Sequence, residues 1–278
     1  MRSAAQLPEL APLVGQVVLL ELAVGTAAVS HGVDVAGRVG RGFVGTTALI
    51  CALLMGIDLL LTAALPDPAL LLGAPVDGGA RAAAAHWAVA FTLLLIGAAL
   101  FCAVGTDIAR RVVGAVTCLA GMVGLVELAM AIGPALGGAG AASLAFLTGA
   151  LLFGSALSGM LLGHWYLVAP TLSFKPLRQS VGLVFIAVAV ELATVLGVIV
   201  TSDNNTRNTL TGHYGAPFWL LVVGSGVVFT ALVNGLTYHF ARIRANQPAT
   251  AMLYVLIISV AMGVIPAHLL FFLTGAPL

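Results

Sequence analysis

Four histidines lie within long apolar runs or just inside their ends: His86, His164, His239 and His268. Imidazole serves as a neutral metal ligand and as a proton carrier. In hydrocarbon a polar side chain needs a partner or a purpose. Four carboxylates share this setting, Glu21, Asp58, Glu127 and Glu191, with no lysine or arginine deep in a run beside them. A buried acid without a cationic partner can relay protons or coordinate a cation, and its plainer use is a hydrogen bond to a neighbouring helix.

Depth sorts the histidines. At a rise of about 1.5 Å per residue, His164 and His239 fall near one end of their runs, and His86 and His268 fall near the other. Two layers of histidine on different helices form the arrangement that a bis-histidine haem needs, with the ring held edge-on between facing imidazoles. One or two haem b groups, their iron bound by His164, His239, His86 and His268, are therefore expected. Trp165 and Tyr166 follow His164 directly. They can wall the pocket of a quinone head, or act as aromatic anchors at the membrane surface. Glu21, Asp58, Glu127 and Glu191 are the candidate proton relays.

The elements that must position these residues are plain from composition. The chain of 278 residues is 61% hydrophobic and 8% charged, with a mean hydropathy of +1.14. Such a composition excludes a soluble domain. The apolar runs are continuous rather than alternating, which excludes a membrane β-barrel. A net charge of +1 offers no field for nucleic acid. The expected fold is all-α: one transmembrane domain over 1–278, with eight spans at 10–31, 43–65, 82–105, 111–133, 143–168, 179–201, 216–241 and 249–274. The first run reads as a span rather than a cleaved leader, because Glu21 interrupts it. Connectors are short except 66–81 and 202–215.

Basic residues give the orientation. Arg38, Arg41, Arg110, Arg111, Lys175, Arg178, Arg242 and Arg244 flank the connectors after odd spans, against Arg2, Arg81 and Arg207 on the other side. Both termini are then expected on the outer, periplasmic side. The excess of arginine over lysine, ten to one, suits a GC-rich bacterium and its inner membrane.

Within the fifth span, Gly149, Gly154, Gly159 and Gly163 precede His164, and Pro170 breaks the run. Gly159 and Gly163 form a G-x-x-x-G, a helix-packing motif in membranes. Thr230, Asn234 and Tyr238 recur at helical spacing and are expected to face the interior. Glu-Leu-Ala recurs at Glu21, Glu127 and Glu191, but the flanking residues do not align, so no internal repeat is read. Cys51, Cys102 and Cys118 are widely spaced and read as small packing residues. No metalloprotease, phosphate-loop, iron–sulfur or paired-cysteine motif is present.

In architecture, spans plus layered histidines, the chain is similar to membrane cytochrome b subunits. That similarity implies an electron-transfer subunit carrying b-type haem. It would react with quinone and pass electrons to or from a partner redox subunit, with the chain at most the membrane part of an oxidoreductase. Two alternatives stand beside it: a proton- or cation-coupled transporter built on the buried carboxylates, and a cofactor-free anchor or assembly subunit.

Overall fold

The computed structural model describes residues 7–37, 39–64, 70–71, 74–169 and 172–278. Arg2, Arg38, Asp67 and Pro170 lie outside the described residues. Among the described residues, eight helices are long and apolar enough to cross a membrane. They are α1 (Leu7–Gly37), α2 (Arg41–Ala64), α3 (Gly78–Val104), α4 (Asp107–Ile132), α5 (Ala139–Val168), α6 (Lys175–Thr201), α7 (Gly215–Arg242) and α8 (Asn246–Thr274). A ribbon of two short antiparallel strands, β1 (Leu70–Leu71) and β2 (Ala74–Pro75), sits in the α2–α3 connection.

Local chemistry sets several ends. The Asp77 carboxylate accepts from the amides of Gly79 and Ala80 at 2.9 and 3.0 Å and starts α3. The Thr106 hydroxyl accepts from the Ala109 amide at 3.2 Å, so α4 begins before the expected residue 111 and takes Arg110 into its first turns. Likewise α1 continues past the expected end at 31 and carries Asp34 with it. Gly275 ends α8 at φ +76°, a conformation that suits glycine.

Helix α1 stands in the middle and packs against α2, α4, α5, α6 and α8. Its contact with α5 is parallel: Glu21 meets Gly149, Gly25 meets Gly154, and Ser30 bonds Ser158. At Gly25 and Gly154 the two backbones touch, and a Cβ on either glycine would overlap the other helix's main chain. The glycines of α5 thus divide their work. Gly149 and Gly154 receive α1, while Gly159 and Gly163 receive Leu253 of α8. The expected packing role of the G-x-x-x-G is what the fold displays. The Thr250 hydroxyl adds a hydrogen bond to the Gly163 carbonyl at 3.0 Å.

Helices α7 and α8 cross at Gly226 and Gly263, which again meet backbone to backbone. Next to that crossing the Thr230 and Ser259 hydroxyls lie 2.7 Å apart, and Ser259 donates to the Ser225 carbonyl at 2.9 Å. The backbone of α7 is wound in wide π turns from Phe218 to Phe229. Thr230 and Asn234 face inward as expected, with Asn234 Nδ2 donating to the Val181 carbonyl at 3.1 Å. Tyr238 does not. It is exposed and meets Phe185 edge-on at 6.2 Å, and Thr237 takes the inward place.

Outside the spans, Asp203 caps a short helical turn, Asn204–Asn208, in the α6–α7 connection. Its carboxylate accepts from the Asn205 and Thr206 amides at 2.9 and 3.2 Å. Hydrogen bonds from the Thr206 hydroxyl and amide, and then from Asn205, hold its pKa below the ordinary aspartate value. A depressed carboxylate contributes order that is fully present above the unfolded value of about 3.9 and is lost as pH falls through the folded value. Protection of the Thr206 amide, its exchange relative to the unstructured rate at the same pH, is therefore expected to hold from neutral pH to about 4 and to fall only below. Loss of protection that begins well above that range shows that the cap is not what orders the turn.

Candidate functional site

The centre of the bundle holds one acid–base pair. Glu21 of α1 and His268 of α8 are fully buried. Nε2 of His268 lies 2.7 Å from Oε1 and 2.8 Å from Oε2 of Glu21. Two protonation patterns fit this geometry. Either the ring donates its Nε2 proton to the carboxylate, or the acid donates its O–H to Nε2. The pair therefore holds a proton with two possible owners.

The surroundings are built for the pair. A Cβ at Gly149 would lie 2.6–2.8 Å from the Glu21 carboxyl atoms, so only glycine leaves them room. Phe146 packs edge-on against the His268 ring at 5.6 Å and 82°, and Phe271 packs against Phe146. Glu191 of α6 is buried and near enough for its charge to act on His268. The Leu278 main chain lies beside the imidazole, whose Nδ1 is buried without a hydrogen-bond partner. Charge is expensive in such a place, and a shared proton lowers that expense.

The sequence-derived candidates scatter around this centre. Glu21 and His268 come together, and Glu191 is near enough for its charge to act on both. Asp58 is buried on α2 with Oδ1 lacking a hydrogen-bond partner, and Glu127 is half-buried on α4. The four histidines were expected to face one another across the interior, and this is corrected. His86, His164 and His239 are exposed, on the outside of the bundle. His164 Nδ1 lies 3.3 Å from the Tyr254 hydroxyl, and His239 meets its neighbour Phe240 edge-on. Only His268 points inward, and its Nε2 is taken by Glu21.

Trp165 and Tyr166 are bound up in packing. The Tyr166 ring is buried and stacks on Phe174 at 5.0 Å, and its hydroxyl donates to the Ser173 carbonyl. Trp165 meets Phe43 edge-on at 6.2 Å and lies over Gly42. Both therefore clasp the end of α5 to its neighbours.

No protein-family model matches the chain, and no curated protein or solved structure matches it. Function must be read from the site.

A second polar cluster occupies the end where α1 finishes and α2 and α4 begin. Arg110 Nη1 lies 2.6 Å from Asp34 Oδ2, with both side chains buried, and Arg111 Nε lies 4.0 Å from the same oxygen. Arg41 bonds Asp107 nearby at 3.0 Å. Sequence reasoning passed over Asp34 and Arg110, because the hydropathy limits of spans one and four excluded both. The available signal was the i, i+4 spacing of Ser30 and Asp34, which continues the helix past 31.

Proposed function

We propose that the protein is a proton-coupled membrane transporter in which Glu21 and His268 hold the transported proton and Glu191 is its neighbouring acceptor. The observation that carries this reading is the contact of one imidazole nitrogen with both oxygens of a fully buried carboxyl group, 2.7 and 2.8 Å away. Acid and base so placed exchange a proton with little movement, and ionisable groups inside a membrane mark ion pathways by default. The chain would sit in a bacterial inner membrane with its arginine-rich end inward.

The test is proton flux in reconstituted vesicles carrying an imposed pH gradient. Wild-type protein is expected to dissipate the gradient, or to couple its decay to uptake of a solute. Glu21→Gln, which keeps the volume and removes the titratable proton, should abolish the effect. Identical flux in wild type and Glu21→Gln overturns the reading. The electron-transfer alternative, with haem b on His86, His164, His239 and His268 and quinone as substrate for a partner subunit, requires a reduced-minus-oxidised absorption band. A purified protein without that band removes it.

A further inference from the structure

A small pocket lies between α1, α2, α3 and α4, about 30 Å³ in volume, with Ser30, His31, Thr47, Thr117 and Cys118 among its lining residues. A site of that size with several polar neighbours holds one or two waters. Gly114 of α4 makes the pocket possible. A Cβ there would fall 2.6 Å from His31 Nδ1, so glycine alone lets the imidazole lie against that helix.

The pocket connects two things already described. Asp34 stands one turn beyond His31 on α1, and Arg110 stands one turn before Gly114 on α4, so the buried ion pair lies about one turn beyond the pocket lining on the arginine-bearing side. In the other direction Ser30 bonds Ser158 at 2.8 Å. Beyond it Thr26 is buried with its hydroxyl lacking a partner, and Glu21 follows. From Asp34 to Glu21 along α1 is about 20 Å at 1.5 Å per residue, a large part of the hydrocarbon thickness.

We infer that this pocket is a hydrated vestibule through which protons reach Glu21 from the arginine-bearing end, with His31 as the carrier and the Asp34–Arg110 pair as its closure. The inference rests on the proposed proton role of Glu21 and His268. Three further features belong to it. The buried oxygen Oδ1 of Asp34 and the buried Nε atoms of Arg110 and Arg111 make no hydrogen bond within the protein, so this cluster has polar capacity for water to bridge. The charged groups acting on His31 are Asp34, Arg110 and Arg111. Proton passage needs no redox partner: one proton enters from solvent, His31 takes it on one ring nitrogen, and the other ring nitrogen releases one toward Ser30.

The experiment separates the vestibule from the transport reading. Cys51, Cys102 and Cys118 are replaced by alanine, and Thr47→Cys is introduced as a reporter, with Ser30→Cys as a second. Ala129→Cys, in the dry interior, is the reference. Silver ion, about the size of a water and bound by thiolate, is added from either side of oriented vesicles, and the thiols left free are alkylated after unfolding. Only a hydrated thiolate takes up the ion readily, so both reporters should label at least about tenfold faster than Ala129→Cys, and only from the arginine-bearing side. Arg110→Gln should speed that labelling. Labelling no faster than the reference at both reporters overturns the vestibule, whatever the flux. Labelling at the expected rate with no proton flux in wild type leaves the vestibule standing and overturns the transport reading. With both intact, His31→Leu should slow flux about tenfold, as loss of a positioned acid–base group does. Unchanged flux in that variant overturns the assignment of His31 as carrier.

Discussion

His268→Leu is expected to destabilise the protein by about 3–5 kcal/mol, whereas the double variant Glu21→Leu/His268→Leu should be close to wild type or more stable. The asymmetry follows from burial. Removing the imidazole leaves the Glu21 carboxyl group fully buried without the hydrogen bond to His268 Nε2. Removing both groups leaves apolar side chains in a site already walled by Phe146 and Phe271. Unfolding in mixed micelles measures the cycle. A double variant as unstable as the sum of its singles would mean that Glu21 and His268 do not act on each other. The same double variant should carry no proton flux while remaining folded. That result would distinguish a working pair from a merely structural one.

Gly154→Leu should be more damaging still and should not be rescued by small changes elsewhere. The side chain would have to occupy space held by the main chain of Gly25, and a helix backbone cannot swing aside as a side chain can. Helices in lipid associate through such close contacts because hydrocarbon gives them no hydrophobic drive. Forcing α1 and α5 apart would also open the Ser30–Ser158 bond and move Glu21 away from Gly149. A loss of more than about 4 kcal/mol, or failure to fold, is expected from overpacking of this kind. Near-normal stability would show that the two helices have freedom at this crossing. Gly32, where an added Cβ meets nothing within 4 Å, is the control: Gly32→Ala should be tolerated.

Span number was legible because hydropathy along a chain is a one-dimensional property. The direction a side chain takes around its helix was not legible. His86 has apolar residues on every side in sequence, and His239 stands between Tyr238 and Phe240, so neither histidine's own neighbours say whether it faces lipid or the interior. Their exposure follows from how α3 and α7 dock, and that depends on other helices. The buried cluster of Asp34 and Arg110 was hidden for a different reason. A hydropathy window ends a span where charge begins, but here opposite charges neutralise each other inside the bundle and both helices continue. Glu21 was one of four acids expected to need a partner or a purpose. Its partner lay 247 residues away, beyond the reach of any local pattern.

That separation bears on biogenesis. The helix carrying Glu21 is made seven spans before the one carrying His268, so the acid must wait in the nascent bundle until α8 arrives. Only then does α8 close on α1, beside α5. A chain stalled or cut before α8 would present an unmatched acid to lipid or to the insertion machinery. The central pair thereby couples the settling of α1 to the arrival of α8.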